Sequence, residues 1–198
     1  MDEPKIVEEH IVPASAKRAL PVANFAQPSR NVDKFGVQPT MKVADFGAGS
    51  GAYTMELAKA VGAGGRVYAV DVQKDLLRRI KNSAELMGFK NVDVLWSDVE
   101  ILGSTKIADK IIDLVLISNL LFQLSDKSKP LTEARRILKQ NGKLVVIDWS
   151  ESFGGMGPQK EDVVSKDVAI GLAKSAGLEF VREFEAGAHH YGLIFKAL

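Results

Sequence analysis

From Lys42 onward, short apolar runs alternate with stretches whose apolar residues recur every three or four positions. KVADF is a short apolar strand, and GAYTMELAKAV puts Tyr53, Leu57 and Val61 on one helical face. GAGG breaks the chain and RVYAVDV is rich in strand formers. QKDLLRRIKNSAELM is amphipathic, with Leu76, Leu77, Ile80, Ala84 and Met87 predicted inward and Gly88 as its C-terminal cap. NVDVLW is the next strand, and Val99 to Lys110 reads as a short helix around a loop. IIDLVLIS is a nearly continuous apolar strand, the pattern of a strand covered on both faces. KPLTEARRILKQ opens with a proline suited to a first helical turn and is predicted to stop at Asn141-Gly142. KLVVIDW is another buried strand. After FGGMGP, a helix is predicted over about Glu161 to Ala176, ended by Gly177. EFVREFEA and YGLIFKA close the chain as two strands around GAHH.

Strands alternating with helices imply an α/β fold, a doubly wound and mostly parallel sheet with helices on both faces. Too few residues separate the last two strands for a crossover helix, so they are expected as an antiparallel hairpin at one edge. Residues 1 to about 40 differ, holding five of the seven prolines. Residues 1–30 read as an N-terminal arm or lid, and residues 31–198 as the domain. A short helix is predicted near Ser29 to Phe35, ended by Gly36.

Composition narrows the chemistry. The 198-residue chain has a formal charge of +1, so no global field draws nucleic acid or anionic lipid. The basic runs Lys17-Arg18, Arg78-Arg79-Lys81 and Arg135-Arg136 read as solvated helix faces. With no cysteine, disulfides, thiolate metal sites and a cysteine nucleophile are excluded, and the absence fits the cytoplasm. MDEPKIVEEH is acidic and unlike a signal peptide, and IIDLVLISNLLF is too short to span a bilayer.

The stretch KVADFGAGSGAY carries the most specific signal. Gly47, Gly49 and Ala52 fit the loose dinucleotide fingerprint, and Asp71 stands at the end of the following strand, where an acid meets ribose hydroxyls. Those features indicate an adenosine-containing cofactor. Asp45 separates the possibilities. A dinucleotide brings an anionic pyrophosphate to such a loop, which a neighbouring carboxylate opposes. S-adenosylmethionine brings a sulfonium and an ammonium, which a carboxylate attracts.

VADFGAGSG with VYAVDV resembles the first two motifs of the class I S-adenosylmethionine-dependent methyltransferases. The resemblance continues through VLWSDVE, DLVLISNLLFQL, EARRILKQNGKLVVIDW and the final hairpin, over about residues 30 to 198. It implies a seven-stranded sheet whose last strand is antiparallel and inserted between its neighbours. It implies S-adenosylmethionine as donor and S-adenosylhomocysteine as product; no metal is expected, since no further ligands are spaced near the histidines. By the same resemblance, Gly47, Gly49 and Gly51 let the backbone wrap the methionine part and ribose. Asp45 lies near the ammonium or its bound water. Asp71 accepts from both ribose hydroxyls, Val72 packs on the adenine face, and Gln73 lies beside it. Asp98 accepts from the adenine amino group and Val99 supplies a backbone amide. Ser118 and Asn119 face the methionine end.

Methyl transfer from a sulfonium needs alignment and desolvation more than a catalytic triad, and none is present. The DNA amino-methyltransferase signature is absent, since the place after the fourth strand reads SNLLF with no proline; DNA is therefore not expected as acceptor. Arsenite-type methyltransferases rely on cysteines, which this chain lacks. A small or medium-sized molecule is the expected acceptor; RNA and protein acceptors and the oligomeric state stay open. No catalytic residue is identified beyond a candidate base, His190, which with His189 forms the adjacent imidazole pair in the last hairpin. A polar turn or interface contact is the plainer role for that pair. Trp149 and FGGMGP are candidates for an acceptor pocket and a gate, with core packing and a plain connector as the alternatives. An NAD-dependent oxidoreductase and a non-catalytic binding protein on the same fold are the competing functions.

Overall fold

The computed structural model describes residues 26–198. Seven strands form one sheet in the order β3-β2-β1-β4-β5-β7-β6. They are β1 (Lys42–Phe46), β2 (Arg66–Asp71), β3 (Val92–Trp96), β4 (Ile112–Ser118), β5 (Leu138–Trp149), β6 (Leu178–Gly187) and β7 (His190–Ala197). The helices are α1 (Pro28–Phe35), α2 (Ala52–Val61), α3 (Lys74–Leu86), α4 (Lys129–Ile137) and α5 (Lys166–Ser175). β7 runs antiparallel to both neighbours, β5 and β6, so it is inserted between them. The other pairings are parallel. The sheet reverses its winding between β1 and β4, and an open α/β sheet binds ligands beyond the carboxyl ends of the strands at such a point.

The continuous apolar character of β4 and β5 follows from cover on both faces. Val43, Leu114, Leu116, Val145 and Ile147 pack with α1 and α2 residues such as Phe35, Leu57 and Val61. Ala44, Phe46, Val115, Ile117 and Val146 pack on the other face with α4 and α5 residues such as Leu131, Ile137 and Ala173. Leu77 and Ile80 of α3 close the first face over Ala69 of β2.

Four local expectations are corrected. Met87 is 58 % exposed rather than inward. It sits where α3 unwinds: Gly88 takes φ +76°, its N–H reaches the Glu85 carbonyl, and the Phe89 N–H reaches back to Ala84, which turns the last residues outward. α4 ends at Ile137 rather than Asn141, because Leu138 is already paired with Ile112 at the start of β5. The intervening residues form a bulge in which Asn141 takes φ +63°. α5 begins at Lys166 rather than about Glu161, where the Ser165 hydroxyl accepts the Val168 N–H and caps it. Val99 to Lys110 holds no helix. Its turns are tied to α4 by the fully buried Glu133, which accepts from the Gly103 N–H at 2.8 Å and pairs with Arg136 at 2.7 Å.

The predicted helix over Ser29 to Phe35 is present as α1, ended by Gly36 at φ +68°. Of the expected arm or lid, residues 1–25 lie outside the described residues.

Candidate functional site

The loops after β1, β2 and β4 meet at the carboxyl edge of the sheet. The glycines of the first loop make it possible. Gly47, Gly49 and Gly51 all hold positive φ, at +70°, +53° and +81°, a region costly for any side chain. The N–H groups of Gly47 and Ala48 donate to the Val70 carbonyl at 2.9 and 3.0 Å, which pins the loop to the end of β2. A Cβ on Gly47 would lie 2.9 Å from a Leu120 methyl, and one on Gly51 2.7 Å from Ile80. A Cβ on Gly49 would meet nothing closer than 3.8 Å. The first and third glycines are therefore required by protein packing, while the second borders free space.

That space is a cleft in two parts that share Gly47, Gly49 and Gln123. One compartment, of about 330 Å³, is bordered by Asp45, Tyr53, Ser118 and Asn119. The other, of about 350 Å³, is bordered by Asp71, Val72, Gln73, Asp98 and Val99. The structure thus brings together every residue expected at the cofactor except Gly51, which packs behind the loop against Ile80.

Asp71 ends β2 and is fixed from two sides, its Oδ2 accepting the Gly49 N–H at 3.0 Å and its Oδ1 the Gln73 N–H at 2.8 Å. Val72 next to it is 57 % exposed, an apolar side chain facing the cleft. Asp98 accepts the Glu100 N–H at 2.9 Å, which shapes the turn carrying the buried Val99. Asp45 is only 1 % exposed and accepts the Thr54 hydroxyl at 2.6 Å. Burial pushes its carboxyl up to about 6, the Thr54 bond works against the rise, and the Asp71 charge adds to it. Asn119 follows β4 at φ +53°, with its N–H on the Ile147 carbonyl. Its buried Oδ1 has no hydrogen-bond partner.

Among the cleft residues that were not anticipated are Glu100, Tyr53 and Gln123. Tyr53 was read only as an inward helical residue, yet its hydroxyl borders the cleft and accepts the Asn31 amide at 2.9 Å. Gln123 reaches both compartments and donates to the Asn119 carbonyl at 2.6 Å. The 3-10 turn bearing it is held by Asp148, which accepts the Leu121 N–H at 3.0 Å. The one signal for Gln123 was its polarity within the apolar run SNLLFQL.

His190 does not border this cleft. It pairs with Trp149 across β5 and β7, with ring centroids 4.3 Å apart. Burial, with some help from His189, lowers its titration to about 4, so the ring is neutral at pH 7.

A larger hollow, about 610 Å³, lies at the opposite end of the strands and carries Lys42, Lys59, Arg66 and Lys90. Size alone would favour it. The strand polarity, the glycine loop and the gathered acids favour the two-part cleft. Among the described residues, no helix is long and apolar enough to cross a membrane, and no group of three or more His, Asp or Glu side chains is arranged for a metal.

Comparison with known proteins agrees with this geometry. Residues 38–184 match the family described as "Methyltransferase domain". An S-adenosylmethionine-dependent methyltransferase from Aquifex aeolicus superposes with a TM-score of 0.79 at 30 % identity, covering 88 % of this chain and 91 % of that one. An arsenite methyltransferase from Aquipseudomonas alcaligenes is 39 % identical over 112 residues, 54 % of this chain and 32 % of that protein. A ubiquinone/menaquinone biosynthesis C-methyltransferase from Pasteurella multocida is 31 % identical over 121 residues, 61 % of this chain and 44 % of that protein. The chain thus spans less than half the length of each of these two curated relatives. It belongs to the methyltransferase-domain family, within the class I S-adenosylmethionine-dependent methyltransferases.

Proposed function

We propose that the chain transfers a methyl group from S-adenosylmethionine to a small or medium-sized acceptor, holding the donor across the two-part cleft. One observation carries the reading: among the described residues the cleft is bordered by Asp45, Asp71, Asp98 and Glu100, and by no lysine or arginine. A diphosphate would meet four carboxylates and no basic side chain, whereas a sulfonium and an ammonium meet attraction. The NAD-dependent alternative is not favoured on the same ground. The residues also fit the donor in detail. The unpartnered buried Oδ1 of Asn119 offers an acceptor at the Asp45 end, and the open side of Gly49 leaves room for a ligand against backbone.

The donor, when bound, supplies a methyl group on a positively charged sulfur. The rest is the work of this chain. Asp71 accepts from the two ribose hydroxyls with the lone pairs its backbone contacts leave free, a charge-assisted pair. Asp98 and the Val99 amide read the adenine edge, while Val72 and Gln73 cover its face. Asp45, Ser118 and Asn119 hold the amino-acid end. Alignment and exclusion of water on this scaffold can contribute about 7–11 kcal/mol to the rate.

The relatives' names point to small acceptors. A trivalent arsenic acceptor does not suit this chain, which has no cysteine to bind so thiophilic an element. We place the protein in the cytoplasm on the same absence.

Calorimetric titration with S-adenosylmethionine, S-adenosylhomocysteine and NAD tests the reading. Micromolar binding of the first two without NAD binding is expected; NAD binding with neither sulfur ligand bound would refute it.

A further inference from the structure

Beside the cleft, on the same face of the sheet, lies an aromatic pair that the donor does not use. Ile147 and Ile194 of β5 and β7 pack toward α1 and α2, as do Leu114 and Leu116 of β4. Alternation along the strands puts Asp45, Ser118 and Trp149 on that face. His190 is directly opposite Trp149 and its ring lies against the indole, so it shares the face. Trp149 and His190 therefore stand one and two strands beyond Ser118, continuing the row that borders the methionine end.

His190 is chemically unfinished. It is 6 % exposed, yet neither ring nitrogen has a hydrogen-bond partner. A neutral imidazole carries one donor and one acceptor, and leaving both buried and unpaired bears the full desolvation penalty. Native interiors seldom tolerate this without a reason. A hollow of about 440 Å³ also borders His190, together with Ser150, Lys166, Glu183, Glu185 and Tyr191, while the imidazole packs against the Trp149 indole.

A glycine-rich strap after β5 lies on Trp149 and is anchored on the neighbouring His189. Gly157 presses on Trp149, since a Cβ there would come within 2.6 Å of the indole. Glu151 meets His189 Nδ1 at 2.8 Å, and Phe153 stacks on the same imidazole at 3.7 Å between centroids. Between these anchors, Gly154 and Gly155 hold φ of +56° and +75° and have no atom within 4 Å of a Cβ position. Such residues can absorb a hinge motion without displacing a neighbour.

We infer that Trp149 and His190 form the acceptor-recognition element, suited to an uncharged planar ring that bears a hydroxyl group. Its flat face lies on the indole, its hydroxyl pairs with the imidazole, and the strap opens to admit it. The depressed titration of His190 agrees, because an anionic acceptor would call for an imidazolium. This assignment rests on the proposed methyl transfer and names its acceptor class.

The test uses the full chain saturated with S-adenosylhomocysteine and titrated with phenol, benzene and benzoate. Binding is read from the His190 imidazole and Trp149 indole resonances. Phenol is expected to shift both and to bind about three- to tenfold more tightly than benzene, the range of one hydrogen bond. His190→Phe should erase that preference without changing S-adenosylhomocysteine affinity, and His190→Gln should retain part of it. If His190→Phe does not fold, the ratio in the unaltered protein and in His190→Gln decides. Equal binding of phenol and benzene, a preference for benzoate, or no shift at either ring would overturn the inference. Failure of S-adenosylhomocysteine itself to bind would overturn the reading of the cleft instead.

Discussion

The two compartments of the cleft use the same side chain in opposite ways. On the side proposed for adenosine, Asp71 is fixed by the Gly49 and Gln73 N–H groups. On the methionine side, Asp45 is sealed under α2 with the Thr54 hydroxyl, beside an asparagine oxygen that has no partner. The first is a finished template. The second is a charge held against its burial, which the proposed cationic ligand would relieve. On the proposed function, affinity is expected to rest chiefly on Asp71, and Asp45 to couple donor binding to pH and to stability. Each experiment below breaks or sharpens that contrast.

The largest effect is expected from Asp71→Ala. It removes two charge-assisted bonds to ribose together with the support of Gly49, and should weaken S-adenosylhomocysteine by about 100-fold or more. Calorimetry checks it, and an unchanged dissociation constant would remove Asp71 from the template.

Asp45→Asn should act in two directions. It should weaken the donor about tenfold, the loss of one modest charge interaction in a partly dry site. It should also stabilise the free protein at pH 7 by about 1–3 kcal/mol, since a buried charge is gone. The sign follows from linkage. The Asp45 carboxyl rises from 3.8 to about 6 on folding, so between those values the folded state holds a proton that the unfolded chain has released. The contribution to stability is thus full below about pH 4 and is lost as pH rises through 6. Asp148, also raised to about 6 by burial, adds a second contribution of the same sign. Urea denaturation from pH 4 to pH 8 should show a shallower fall for Asp45→Asn than for the unaltered chain. Parallel curves would detach Asp45 from the effect.

The glycines divide along a different line. Gly51→Ala meets Ile80 at 2.7 Å under a positive φ and should lower stability by about 2–3 kcal/mol. Gly49→Ala meets open space and should lose only about 1 kcal/mol from its left-handed backbone. Its main effect should be on donor affinity. Thermal denaturation beside calorimetry separates the two, and equal melting losses would contradict the division. The smallest effect is Val72→Ala, expected to weaken S-adenosylhomocysteine about threefold by trimming apolar contact on adenine.

The comparison also explains what could be read in advance. Strand periodicity, breaking glycines and the closing hairpin were legible because each is a local pattern, and β1 to β4 appear where those patterns lie. The tight glycine loop and the place of Asp71 at the end of β2 were legible because backbone conformation and chain position mark them. What escaped depends on distant partners. α4 stops early because Leu138 pairs with Ile112. The segment after Val99 is shaped by Glu133, thirty residues past Gly103. Tyr53 looked like core because a helical face cannot reveal that its hydroxyl reaches a cleft. The burial of Asp45 was illegible for the same reason, and it changes the electrostatics from an open ring of acids to one fully sealed carboxylate, a nearly buried Asp71 and a half-buried Asp98.

The most direct measurement follows the Asp45 side-chain carboxyl carbon by NMR through a pH titration, with and without S-adenosylhomocysteine. The midpoint should stand near 6 in the free protein and fall by about one unit or more on binding, the mark of a carboxylate that gains a cationic partner. A midpoint that stays in place or rises on binding would contradict the account.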